Sequence, residues 1–235
     1  MIRKLLSLAV LTAATAVFPA HAETVKVGRA SIELPEGNWK ALTNSDSQNP
    51  VNGINTGALP VETRTFVLVS DGRPMAILKV NSSKGGGLRI NWTNTCTSNS
   101  LSHAINLTQD PNALECIQAS VPVVAEPYLK RTMPDVLTAL ESNGLVVPSA
   151  MQTISAAVGS SSGTSLSVNL VVVPSFIGLQ GEEASTLPAR LKPGQVAWAR
   201  QLATAVKGSV YSMSGNMTLP PVAFATPRVT SSTPQ

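Results

Sequence analysis

The 235 residues include 17 Lys+Arg against 13 Asp+Glu, with 43% hydrophobic, 4% aromatic and 13% charged positions. The formal charge of +4 is close to balance. It gives no electrostatic case for nucleic acid or an anionic membrane, both of which call for clustered Lys/Arg. Two cysteines and, once His21 is lost with the opening segment read below as a signal, one histidine are too few for a structural zinc site, which takes four Cys/His ligands.

The opening MIRKLLSLAVLTAATAVFPAHAE sets Arg3 and Lys4 before an uncharged run and an A-x-A site ending at Ala22. That plan predicts a signal peptide over 1–22, with cleavage after Ala22 and a periplasmic or secreted protein. Without it, Lys+Arg falls from 17 to 15 and the net charge to +2. The apolar run Leu170 to Leu179 is broken by Pro174 and Ser175, so no transmembrane segment is expected after the signal.

In the mature chain, TVKVGRASIELP alternates apolar and polar residues on either side of Gly28, which predicts two short strands. Thr43 to Pro60 is rich in Asn, Ser, Gly and Pro and reads as a long surface loop. TRTFVLVS and MAILKVNS then flank Asp71-Gly72, a dipeptide that takes positive φ cheaply and predicts a hairpin. LRINW puts Leu88, Ile90 and Trp92 on one face of an expected strand.

Cys96 and Cys116 follow. An exported chain with two cysteines meets an oxidising compartment, where a disulfide is the expected state. Their spacing is not the C-x-x-C of a redox site. Pairing would staple a polar, turn-rich segment that includes His103, and we expect neither cofactor nor metal there.

A short helix is predicted over Pro134 to Asn143, with proline at its first position and Gly144 just beyond its end. MQTISAAV and SLSVNLVV flank GSSSG and predict a hairpin with one buried face. A second helix follows Lys192-Pro193-Gly194, with Trp198, Leu202, Ala205 and Val206 in one stripe and Gly208 as its terminator. Trp198 is expected on the sheet face that carries Trp92.

The whole predicts one α+β domain over 23–215: an antiparallel sheet of about six to eight strands with two helices packed on one face. A Pro/Ser/Thr-rich tail is expected over 216–235.

Two residues suggest catalysis. Gly159-Ser160-Ser161-Ser162-Gly163 matches G-x-S-x-G, which makes Ser161 a candidate nucleophile if a helix leaves the turn. Here a strand leaves, which favours a hairpin turn. His103 is the one imidazole of the mature chain and the only base of its type for Ser161.

INWTNTC, a polar span ending in LECIQASV, and then AWARQLATAVKG carry a further signal through Trp92, Cys96, Cys116, Trp198 and Ala199. In this arrangement the chain resembles a group of small exported bacterial proteins of uncharacterised function. The resemblance implies no catalytic residues. The expectation is an exported, non-catalytic protein that binds or helps assemble a cell-envelope partner; a periplasmic hydrolase using Ser161 or His103, or a carrier of a small apolar ligand, is the alternative.

Overall fold

The computed structural model describes residues 23–51, 57–87, 89–92, 96–98, 102–110, 112–173 and 193–221. The expected signal peptide lies outside the described residues.

Strands β1 (Thr24–Val27) and β2 (Ala30–Glu33) pair antiparallel as their alternation requires. Gly28 turns between them at φ 53°, and a Cβ there would strike the Ser82 and Ser83 carbonyl oxygens. The turn is pinned by the Gly28 amide, which donates to Glu62 Oε2 at 2.8 Å.

The large sheet uses β3 (Trp39–Val51), β4 (Gly57–Ser70), β5 (Arg73–Ser83), β6 (Ser102–Asn106), β7 (Leu114–Ser120), β8 (Val123–Val124), β9 (Ala150–Gly159) and β10 (Ser165–Val172). Its order is β3-β4-β5-β10-β9-β7-β6, with β8 added to the end of β9, and every pairing is antiparallel. Asp71 (φ 51°) and Gly72 (φ 73°) make the tight turn between β4 and β5. The α+β class and the antiparallel sheet therefore match the expectation.

Three helices are described rather than two: α1 (Ala125–Thr132), α2 (Pro134–Ser142) and α3 (Pro193–Tyr211). They also cover both faces of the sheet. Leu170 and Val172 of β10 join the core beneath Trp198, Leu202 and Val206 of α3, whereas Val171 joins the core beneath Leu129, Val136 and Leu140 of α1 and α2. The expected one-sided packing fails because the central strands are apolar on both sides at this end of the sheet, and each side needs a cover. Helix α1 contains Pro127 and ends at Thr132, two residues before Pro134 opens α2. Pro127 stands in the first turn, where the missing N–H would have had no intrahelical partner anyway.

Four further expectations are corrected. Thr43 to Val51 and Gly57 to Pro60 are strand and not surface loop, for β3 runs on beside β4, with Ser45 opposite Thr63 and Ser47 opposite Val61, while 52–56 lie outside the described residues. Backbone pairing carries a polar strand that periodicity cannot reveal. Of LRINW, Leu88 lies outside the described residues and 89–92 joins no ladder, although Ile90 and Trp92 do pack together, against Leu59 and Val61. Helix α3 continues through Gly208 to Tyr211 because Val210 has a core position to fill. The tail does not begin at 216. There β11 (Asn216–Thr218) pairs parallel with β2, and Met217 and Leu219 are buried; 222–235 lie outside the described residues.

Helix α3 is also tied to the sheet by charge. Lys207 Nζ lies 2.8 and 3.0 Å from the two carboxylate oxygens of Glu115, which is buried on β7. This hydrogen bond, with Glu115's negative charge, holds the Lys207 pKa above its ordinary 10.5. A lysine raised in this way stabilises the fold fully below pH 10.5, and the contribution disappears as pH rises through the folded value. Lys207→Met is expected to cost about 1 kcal/mol at neutral pH, a figure discounted because the lysine is half exposed. The loss should shrink above pH 10.5. Urea unfolding of both proteins at pH 7 and at high pH checks this, and an equal difference at both would contradict it.

Candidate functional site

The register of the large sheet places two largely polar rows of side chains side by side on the α1/α2 face. One runs Thr63, Asn81, Ser167, Ala157, Cys116 from β4 to β7. The next runs Thr65, Lys79, Asn169, Ser155, Gln118. Alternation along each strand sets both rows on the same side as Val67, Ile77, Val171 and Met151, which α1 and α2 cover. Five strands at about 4.8 Å make a belt roughly 19 Å across, and the rows stand about 7 Å apart.

The belt has apolar margins at both ends of its strands. On one side are the helices. On the other is the crossing segment after β5, where Ile90 and Trp92 pack on Leu59 and Val61. Trp92 lies so close over Gly159 that a Cβ at that position would overlap its indole ring. Its Nε1 donates to the Ser160 carbonyl at 2.9 Å, and the Ile90 amide donates to the Ser161 carbonyl at 3.0 Å.

The disulfide completes this margin. Cys96 and Cys116 are joined, with Cα atoms 5.5 Å apart. Because Ile117 and Ala119 face the α3 core, Cys116 faces the belt, and the bridge anchors the crossing segment beside it. Gln118 Nε2 adds a hydrogen bond to the Thr97 carbonyl at 3.3 Å. The segment between the cysteines was expected to be turn-rich, yet it contains all of β6 and the start of β7.

Within the belt, Lys79, Asn81, Ser155, Ser167, Asn169 and Gln118 remain half-buried, and Thr65 is fully buried. Thr63 Oγ1 donates to Asn81 Oδ1 at 2.7 Å. Thr65 Oγ1 and Asn169 Oδ1 are buried with no hydrogen-bond partner. Lys79 stands between these two in register and forms no ion pair with any described residue. It is the one charged side chain of the two rows. An unmet buried polar atom costs about 1–3 kcal/mol, so the two orphans are a local cost to the fold beneath the belt's one lysine.

The catalytic candidates are not brought together. Ser161 is exposed in the β9–β10 turn, with a strand on each side of it and no helix leaving. His103 is exposed on the edge strand β6, level with Ile154 of β9. Five residues of strand and two strand spacings separate that level from Gly159, on the order of 20 Å. No three His, Cys, Asp or Glu side chains cluster in metal-binding fashion among the described residues. No described helix is long and apolar enough to cross a membrane.

Trp198 and Trp92 do not share a face. Trp198 lies in the α3 core and Trp92 at the belt's margin on the other side, a correction that follows from the parity of their partners along the strands. The belt itself went unread in the sequence. Its signal is the polar half of each alternating strand, TRT, KVNS, SVN and ISA, which ordinarily means a wet face.

Fold and face together define the class: an α+β sheet protein with both faces partly covered and one polar belt left between covers. Compared with known proteins, the chain matches no family model, no curated protein and no solved structure.

Proposed function

We propose that the protein is exported and non-catalytic, and that it binds a component of the cell envelope through the polar belt. The observation that carries this reading is the belt's chemistry: half-buried hydroxyl and amide groups around one lysine with no ion pair among the described residues. The disulfide supports the export side of the reading, since such bonds persist in oxidising compartments. The signal-like pattern that ends at Ala22 supports it from the sequence.

The test uses the mature chain, 23–235, and isolated cell-envelope material from a bacterium. The wild type is expected to cosediment with the envelope fraction, and Lys79→Glu to lose at least tenfold in affinity while keeping its circular dichroism spectrum. Ser161→Ala and His103→Ala should bind as the wild type does. A wild type that stays in the supernatant, or a Lys79→Glu variant that binds unchanged, defeats the proposal.

A further inference from the structure

The large sheet ends on two strands whose outer edges differ. At the β6 end the chain closes its own edge: Ser98 Oγ accepts the Ala104 amide at 2.9 Å and lies 3.5 Å from the carbonyl oxygen of the same residue. At the other end β3 pairs with β4 on one side only. Between Thr43 and Asn49 no backbone group hydrogen-bonds to a described residue on the outer side.

An open edge is a template for another strand, and proteins commonly protect it with lysine, proline or a bulge. Here those devices bracket the edge and leave its middle alone. The bulge between Ala41 and Thr43 lies at one end and Pro50 at the other. Between them TNSDSQN holds one charge, Asp46, and Asn44 to Asn49 are all exposed.

The side chains decide what fits. This run has no apolar residue with which to grip a foreign peptide, so a partner strand must answer with hydroxyls and amides of its own. Strand β3 is itself such a strand. Antiparallel pairing of β3 with β3 of a second copy makes a two-fold axis, and the axis must fall on some residue. Centred on Asp46, it sets two carboxylates face to face, which repels. Centred on Ser47, it brings Pro50, which has no amide to give, into the ladder. Centred on Ser45, it sets Asp46 opposite the partner's Asn44 and Thr43 opposite the partner's Ser47, twice each. Asp46 then also enters the row of Asn44 and Arg64, and the Arg64 side chain is 37% exposed.

We propose that the protein associates edge to edge through β3, as a two-fold dimer with Ser45 on the axis and one antiparallel sheet running through both copies. Ser45 and Thr43 stand opposite Thr63 and Thr65, so both rows of the belt reach this edge, and pairing joins the belt of one copy to that of the other. The association does not depend on what the belt binds. A ladder this short buries less than the roughly 1,200–2,000 Å² of a stable interface, so the dimer forms reversibly as concentration rises.

Sedimentation velocity of the mature chain, 23–235, over a concentration series should show monomer giving way to dimer. Ser45→Lys sets two ammonium groups opposite each other on the axis and should weaken association about tenfold. Because Ser45 is exposed, that variant should keep the wild-type circular dichroism spectrum and unfolding temperature. Engineered cysteines read the register. Ser45→Cys should form a covalent dimer on mild oxidation, with the Cys96–Cys116 bond intact by mass. Asn49→Cys should not, because in this register the two copies of position 49 lie about 26 Å apart. A wild type that stays monomeric at every concentration overturns the proposal. So does a dimer that Ser45→Lys leaves unchanged, or an Asn49→Cys variant that crosslinks as readily as Ser45→Cys.

Discussion

Cys96→Ala, Cys116→Ala and the double variant are each expected to unfold with about 3 kcal/mol less stability than the wild type. The bond closes a loop of 20 residues, and in the chain-entropy account such a link removes that much freedom from the unfolded chain. The three variants should lie close together, because either single change already breaks the one link, and effects on a shared interaction do not add. For a chain of this size the loss corresponds to roughly 6–12 °C in the unfolding midpoint.

Adding reductant to the wild type should reproduce the shift, and intact mass of the unreduced protein should show no alkylatable thiol. A wild type indifferent to reductant would remove the bridge from the account of the belt's margin. The variants should also bind the envelope fraction less well. The bridge anchors the segment that carries Trp92, whose indole packs on Leu59 and Val61, lies over Gly159 and donates to the Ser160 carbonyl.

Trp198→Ala is expected to cost more, about 3–5 kcal/mol, the usual range for emptying a buried aromatic site. The indole is only 3% exposed, within the core that α3 shares with β9 and β10. It is also a tether: Nε1 lies 3.0 Å from the Pro221 carbonyl and 3.3 Å from that of Pro220, beyond the end of β11. Losing it therefore opens a cavity and frees the strand that closes the small sheet. Urea unfolding followed by circular dichroism measures the first effect, and amide exchange at Met217 and Leu219 the second. A loss below 1 kcal/mol would mean that the indole does not fill the α3 core.

Trp198→Ala acts on the opposite face from the belt, and a Lys79 substitution touches little besides the belt. Half-exposed Lys79 contributes no ion pair with a described residue, so its removal should leave stability almost unchanged while abolishing recognition. Structural and recognition roles are therefore separable by residue.

Several elements were legible because local chemistry alone decides them. Asp71-Gly72 makes its turn wherever two strands flank it, since both residues must take positive φ. The β9–β10 hairpin follows from strict alternation on either side of GSSSG. The same logic exposed the weakness of the Ser161 motif, because a strand and not a helix follows it. The β3–β4 extension was illegible for the opposite reason. Asn44 to Asn49 carry no apolar residue, and only the neighbouring strand's backbone tells them to be extended.

The belt sits between these cases. Thr65, Lys79, Asn169, Ser155 and Gln118 come from five strands, and nothing local says that they share a row. The row exists because β10 inserts between β5 and β9, a pairing of segments far apart in the chain.

By itself, then, the sequence determined the α+β class, the hairpins, the short helix at Pro134 and the pair of cysteines, all of which rest on periodicity, turn chemistry or count. Only the tertiary structure decided which face each helix covers, that β11 closes the small sheet, and that two unmet polar atoms flank a lone lysine. Side-chain patterning sets what a strand can be, whereas its neighbours in the sheet come from pairing at a distance, and a binding face made from five strands is visible only once they are paired.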